Sequence, residues 1–272
     1  MRAIFFNTPL AWLQLTRQKG RLLIALAGIA FAVILMFMQL GFQASLFDSA
    51  TRFHQSLDAD LVLISARSKS LGYMRTFSWR RLYQVLGIEG VQSVSPVYVW
   101  LGDWRNPKNG NFRAIYIYGF RPGDSVFKFP EVATNLSKLQ LKENILFDRA
   151  SRQEYGAIAK EFEQNQTVTT ELAGKKVNVV GLFTLGPSFG ADGNVIMSDL
   201  NFLRLFSNYR KMGEIDIGLI KLEPHANAQN ILKKIKTSLP KDVKVLTHQG
   251  FVEFEKNYWQ TSTSIGFIFT LG

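Results

Sequence analysis

Hydrophobic positions along this chain fall into three regimes. From Leu22 to Phe47 no residue is charged, and the stretch ALAGIAFAVILMFMQLGF inside that run is apolar on all faces instead of along one stripe. As a helix the run is about 39 Å long, more than the roughly 30 Å of a bilayer's hydrocarbon core. We read residues 22–47 as a transmembrane helix. The competing reading is a cleaved signal peptide, because Ala25-Leu26-Ala27 and Ala30-Phe31-Ala32 have the small-residue spacing of cleavage sites. The run outlasts an h-region of about 7–15 residues, however, and 21 residues precede it.

The second regime, residues 48–257, alternates in the manner of half-buried strands and repeats in the manner of amphipathic helices. Strands are predicted at Asp60–Ile64, Ser93–Leu101, Phe112–Phe120, Val177–Phe183, Val195–Met197, Glu214–Leu222 and Val243–Thr247. Helices are predicted at Trp79–Leu86, Leu200–Phe206 and Ala226–Ser238. The last places Ala228, Ile231, Leu232 and Ile235 on one face, Lys233, Lys234 and Lys236 on the other, and stops before Pro240. Two β-α-β-like units at the ends of the segment imply an α+β domain with two subdomains: residues 48–134 joined with 211–257, and a β-rich insert over 135–210. Residues 48–57 continue the transmembrane helix without Gly or Pro, and 251–259 read as a helix leading back. Both connections are therefore expected to be rigid, coupling the domain mechanically to the membrane helices.

The third regime is the uncharged end. Nothing after Lys256 is charged, and STSIGFIFTLG reads as an apolar helix getting under way; residues 258–272 are expected to begin a second transmembrane helix. The sixteen residues Asn257 to Gly272 make about 24 Å of helix, short of a span. The chain is accordingly expected to be part of a longer polytopic protein. Residues 1–21 contain a short apolar-rich stretch, Ile4 to Leu15, interrupted by Asn7 and Pro9, which fits a cytoplasmic interfacial segment with Trp12 at headgroup depth.

Charge changes this picture only by giving it a direction. The net charge is +11 over 272 residues, and a pI near 9.8 would alone invite a nucleic-acid reading. Arg2, Arg17, Lys19 and Arg21 precede the span with no acid among them, so the N-terminus is expected in the cytoplasm and the large domain outside. That domain holds 28 of the 32 Lys and Arg residues and all 21 acids. An apolar fraction of 47% excludes a disordered polymer. The absence of cysteine excludes disulfides and thiolate sites.

No motif marks a reaction. The segment Gly186-Pro-Ser-Phe-Gly190-Ala-Asp-Gly193 has phosphate-loop spacing only superficially, since no Lys-Ser/Thr follows, and it reads as a turn. Ser151, Ser188 and Ser198 lack a nucleophile-elbow context. His54 with Asp58 and Asp60 could be drawn as a metal cluster, but the three histidines are dispersed and a helix-to-strand junction explains this group better. No catalytic, cofactor-binding or metal-binding residue is assigned. The basic and aromatic stretches, Tyr73 to Arg81 and Trp104-Arg105, have the composition of a nucleic-acid surface, but beyond a membrane no nucleic-acid partner is expected and they fit lipid headgroups, an acidic partner or anionic cargo, or equally a helix with a solvated basic edge. Within the span, Gly28, Ala32, Met36, Gln39 and Gln43 share a face. Small residues and amides there fit packing against another transmembrane helix.

Four separated stretches carry a family likeness: PLAWLQLTRQKGRLLIALAGIAFAVILMFMQLGF (Pro9 to Phe42), SLDADLVLIS (Ser56 to Ser65), LGPSFGADGNVIMSD (Leu185 to Asp199) and FEKNYWQTSTSIGFIFTLG (Phe254 to Gly272). They resemble the DevC-type permease subunits of cyanobacterial ABC exporters, within the wider MacB/FtsX/LolC class. The resemblance implies an inner-membrane, multi-pass protein with a MacB-like periplasmic core domain. It implies a second permease copy, a separate ABC ATPase carrying ATP and Mg, a periplasmic membrane fusion protein as adaptor and a TolC-like outer-membrane channel. Lipid or glycolipid is the implied cargo. On that resemblance Phe189, Gly190, Asp192, Gly193 and Asn194 are candidate adaptor contacts. The alternative is a membrane-anchored extracytoplasmic sensor or regulatory subunit without transport activity.

Overall fold

A computed structural model gives the structure of the protein and describes residues 17–164, 167–263 and 266. Most of the expected interfacial segment within 1–21, and of the helix start at 258–272, lies outside the described residues. Helix α1 (Lys19–Ser56) is 38 residues long and unbroken, long and apolar enough to cross a membrane. Residues 23–38 of it are exposed on all sides. Its last turns are different: Leu46, Ala50, Phe53, His54 and the following Leu57 are buried. One helix therefore has an apolar surface for lipid and a foot for protein, and the foot alone contributes to the domain core.

The strands form one nine-stranded mixed sheet. Strands β1 (Leu61–Ser65), β2 (Phe77–Ser78), β3 (Val91–Arg105), β4 (Phe112–Phe120) and β5 (Asn144–Asp148) come first, then β6 (Val168–Leu172), β7 (Lys175–Phe183) and β8 (Asn194–Ser198), and finally β9 (Glu214–Ile215), β10 (Ile217–Leu222) and β11 (Val243–Thr247). The sheet order is β11-β1-β10-β3-β4-β8-β5-β7-β6, while β2 and β9 pair separately. Helix α2 (Trp79–Leu86) connects β1 to β3. Short helices α3 (Pro130–Ala133), α4 (Leu136–Leu139) and α5 (Ile158–Glu163) decorate the middle, with α6 (Asp199–Leu205), α7 (Ala228–Ser238) and α8 (His248–Thr261) after them.

Both β-α-β units expected from the sequence are present, and both are split. β1 and β3 run parallel with β10 between them; β10 and β11 run parallel with β1 between them. Each unit supplies the strand that fills the other's gap, the interlocked arrangement of ferredoxin-like folds. Neither half is complete alone, which is why residues 48–134 and 211–257 share one sheet.

β3 joins this half to the rest. Its first residues pair with β10, and from Val97 to Arg105 it pairs with β4. β4, β8, β5, β7 and β6 then curl round until Leu172 of β6 meets Trp104 of β3, closing a six-stranded ring. Ala173 donates its N–H to the Asp103 carbonyl at 2.8 Å across the closure. Trp104, Ile115, Ile145, Phe147, Val177 and Val195 belong to a core cluster that continues into the first half through Leu63 and Leu82. The sheet thus passes residue 134 without a break, since β3 and β4 belong to the ring as much as the strands of the insert do.

Local sequence explains the helix starts. Ser78, Ser198, Asn227 and Thr247 each accept an N–H from the first turn of α2, α6, α7 and α8, satisfying a donor that has no partner inside the helix. The predicted strand Glu214–Leu222 is in fact two, interrupted at Asp216. The buried Asp216 carboxylate turns inward to take the Val99 N–H at 2.8 Å and the Arg210 guanidinium at 2.9 Å. β5 and β6, not expected from the sequence, complete the ring.

Candidate functional site

The foot of α1 lies against α8 in one junction. Phe53 stacks on Tyr118 of β4 with ring centroids 4.2 Å apart, and the His54 ring lies 4.4 Å from that of Phe251. The His54 carbonyl faces His248 Nε2 at 2.9 Å. Burial holds the His248 imidazole below its ordinary pKa, so the neutral ring is favoured at this contact. The Glu255 carboxylate is buried beside His54, with 3.4 Å between Oε2 and Nε2. It also accepts the Leu71 N–H at 2.7 Å and the Trp259 indole N–H at 2.9 Å. Two N–H donors on a buried carboxylate, with His54 Nε2 beside it at 3.4 Å, make this junction specific in register.

The loop between β7 and β8 stands against the same junction. Its base is set by Asp148 at the end of β5, fully buried. This carboxylate accepts N–H groups from Leu185 at 3.0 Å, Gly186 at 2.8 Å and Ala150 at 3.0 Å, and the Asn194 amide at 2.8 Å. Ser188 closes the tip, its N–H donating to the Ala191 carbonyl at 2.9 Å. Asp192 is paired with Arg113 and, at 2.9 Å, with Arg152.

Of the residues singled out in this loop, four serve the fold. A Cβ on Gly190 would collide with the Tyr116 hydroxyl, and one on Gly193 would lie 2.7 Å from Ser151 Oγ and 2.8 Å from the buried Tyr155 ring. Asp192 is in its arginine clamp, and Asn194 is 2% exposed. Phe189 is the exception: it is 54% exposed and its ring lies 5.8 Å from that of Trp259. On α1, Gly28, Ala32 and Met36 are exposed, and Gln39 and Gln43 are partly covered.

Asp58 pairs with Lys221 at 2.6 Å and accepts the Ser125 hydroxyl at 2.9 Å; the lysine bond pulls its pKa below the ordinary range. Asp60 accepts the Leu222 N–H at 2.8 Å. Neither carboxylate coordinates with His54, and among the described residues no three His, Asp or Glu side chains form a metal-binding group. Ser198 caps α6 and Ser151 faces the Asn194 N–H at 3.4 Å. In the basic and aromatic stretch, Arg81 is paired with Asp242 at 3.1 Å, whereas Tyr73 is 61% exposed and sits 5.9 Å from Tyr258. The convergence of Tyr73 and Phe189 on α8 carries no signal in the sequence, because the three segments are far apart along the chain.

Comparison with known proteins agrees with this architecture. The crystal structure of the periplasmic region of MacB from Actinobacillus actinomycetemcomitans matches with a TM-score of 0.50 at 12% identity, covering 78% of this chain and 98% of that one. The extracellular domain of the noncanonic ABC-type transporter YknZ from Gram-positive bacteria matches with a TM-score of 0.48 at 12% identity, covering 70% of this chain and all of that one. No curated protein matches the sequence. Residues 22–238 match the family model described as the MacB-like periplasmic core domain. A match over so much of the chain, on a fold shared with the periplasmic region of MacB, makes this protein a member of the MacB-like periplasmic core domain family.

Proposed function

We propose that the chain is a permease subunit of an ABC-type exporter, converting ATP-driven motion of a separate ATPase into movement of its external domain. The observation that carries this reading is the junction of α1 and α8. The apolar helix runs into the domain without a break, and its foot is fixed to α8 through the buried His54 and Glu255. A displacement of the helix cannot be absorbed in a flexible linker and has to move the sheet.

On this proposal the domain is periplasmic and the N-terminus cytoplasmic, in an inner-membrane protein of several spans. Hydrolysis of ATP with Mg is assigned to a partner subunit. A second permease copy would pack on the Gly28, Ala32, Met36, Gln39 and Gln43 face. A membrane fusion protein and a TolC-like channel would complete a tripartite, DevC-type pump for lipid, glycolipid or another hydrophobic cargo. Membership of the MacB-like family supports the reading over a sensor.

The test is purification of the intact protein from its native membrane. A nucleotide-hydrolysing subunit is expected to accompany it, with hydrolysis stimulated by the permease. A protein that purifies with a kinase or cyclase module and no ATPase subunit would instead be a sensor.

A further inference from the structure

The end of α8 gathers four aromatic rings from three distant parts of the chain. Tyr73 lies 5.9 Å from Tyr258, Tyr258 lies 6.0 Å from Trp259, and Trp259 lies 5.8 Å from Phe189. The two outer members of this row are more than half exposed. A row of large rings open to solvent is unusual on a soluble surface unless something covers it.

Its height above the membrane follows from α1. With Arg21 at the inner interface, about 20 residues cross the hydrocarbon core, which brings the outer boundary to about residue 41. Ser45 and Ser49, the next turns, line one cleft together with Pro187, Ser188 and Phe189. The aromatic row is therefore level with the outer headgroup layer. Cations flank it: Lys69, Arg67 and Arg75 surround a cleft beside Tyr73 in which Glu214 is the one acid. Aromatic rings with basic neighbours at that depth are how proteins seat themselves in a bilayer interface.

We infer that this face, Tyr73 and Phe189 with Tyr258 and Trp259 between them, rests in the outer-leaflet headgroup layer and seats the external domain on the membrane. The inference needs α1 to span a bilayer and does not need transport. A protein adaptor on the same loop is the rival occupant, and the two differ in whether the rings are covered when the chain is alone in lipid.

These 272 residues hold no cysteine, so each variant carries a single label within them. Single variants Phe189→Cys and Tyr73→Cys carry a small fluorophore in nanodiscs of phosphatidylcholine and phosphatidylglycerol, with a fraction of the lipids bearing a headgroup nitroxide. Ile34→Cys, in the exposed apolar run, reports insertion with a chain-borne nitroxide. Glu89→Cys reports the far end of the domain: β1 descends from Leu57 toward Tyr73, β10 returns antiparallel, and Glu223 after it donates its N–H to the Gly90 carbonyl. The labels at 189 and 73 are expected to lose most of their emission to headgroup nitroxides and to be shielded from aqueous iodide, with the label at 89 showing the reverse. If 34 is quenched while 189 and 73 stay open to iodide, the seating is overturned, the span stands, and the loop is free for an adaptor. If 34 is not quenched, the span fails and the inference with it.

Discussion

His54 of α1 and Glu255 of α8 face one another across the helix junction, Nε2 to Oε2 at 3.4 Å, with both side chains almost wholly removed from water. Glu255 is also the acceptor for the Leu71 N–H and the Trp259 indole. One carboxylate thus ties the apolar helix, the returning helix and the segment after β1 to a single point.

Glu255→Ala is expected to leave those donors unpaired in a dry site, at a cost of roughly 2–4 kcal/mol. Thermal unfolding and limited proteolysis of the detergent-solubilised protein measure it, with cleavage rising first around residues 66–76. An unchanged unfolding temperature would remove the junction from any mechanical role.

Asp216 gives the domain a pH dependence. Burial is the largest influence on its carboxyl and pushes the pKa up to about 6, against the opposing pull of Arg210 and the Val99 N–H. The folded state therefore holds this proton more tightly than the unfolded chain. The associated stability is fully present below about pH 4 and is lost as pH rises through about 6, roughly 3 kcal/mol over the interval. In Asp216→Asn that slope should vanish from a plot of stability against pH. Arg210→Met should destabilise most at pH 8, by about 3–5 kcal/mol for an unpaired buried carboxylate, and much less at pH 4.5.

Asp148 holds the β7–β8 loop through bonds that only a carboxylate can accept together. Asp148→Asn places an NH2 donor against N–H groups and should cost roughly 2–4 kcal/mol. Hydrogen exchange is expected to quicken at Leu185 and Gly186 and to stay unchanged in β11; equal loss of protection in both would mean global unfolding instead.

Gly193→Ala forces a methyl group into the space of the Tyr155 ring, which is fully buried and bonded through its hydroxyl to the Ala114 carbonyl at 2.5 Å. Overpacking of that kind costs about 1–3 kcal/mol. Denaturant unfolding should register it, while Phe189→Ala, on the exposed tip of the same loop, should leave the midpoint unmoved.

The glutamines of α1 supply a test of the packing face. If the proposed face packs on another helix, Gln39→Leu with Gln43→Leu removes interhelical amide bonds of about 0.6–2 kcal/mol each. Site-directed crosslinking in membranes is expected to show weaker association between copies, with protein level unchanged. Crosslinking at wild-type efficiency would assign this face to lipid.

The apolar helix, the strands Phe112–Phe120 and Val243–Thr247 and the helix Trp79–Leu86 were legible because each is decided by its own residues: an uninterrupted apolar run, a period of two, or a capped period of 3.6. β5 was not, since Asn-Ile-Leu-Phe-Asp is too short and too uniformly apolar to show a period, and it is buried on both faces because Ile145 and Phe147 enter one core cluster and Leu146 the other. The break at Asp216 was hidden as well, because a polar residue in an alternating run looks solvent-facing until Arg210 and Val99 are placed beside it. Of the five loop residues named as candidate adaptor contacts by resemblance, only Phe189 is more than half exposed, a distinction that needs the buried partners of the other four.

The sequence alone determined that this chain has a membrane-length helix running without a break into an α+β domain, because hydropathy and helix continuity are local properties. Tertiary structure decided what those parts make together: two split β-α-β units completing one another, a ring closed where Leu172 meets Trp104, and four aromatic rings aligned at the level where the helices leave the domain. Pairing partners, buried polar networks and surface alignments depend on residues distant in sequence, and no local pattern encodes which of them will meet.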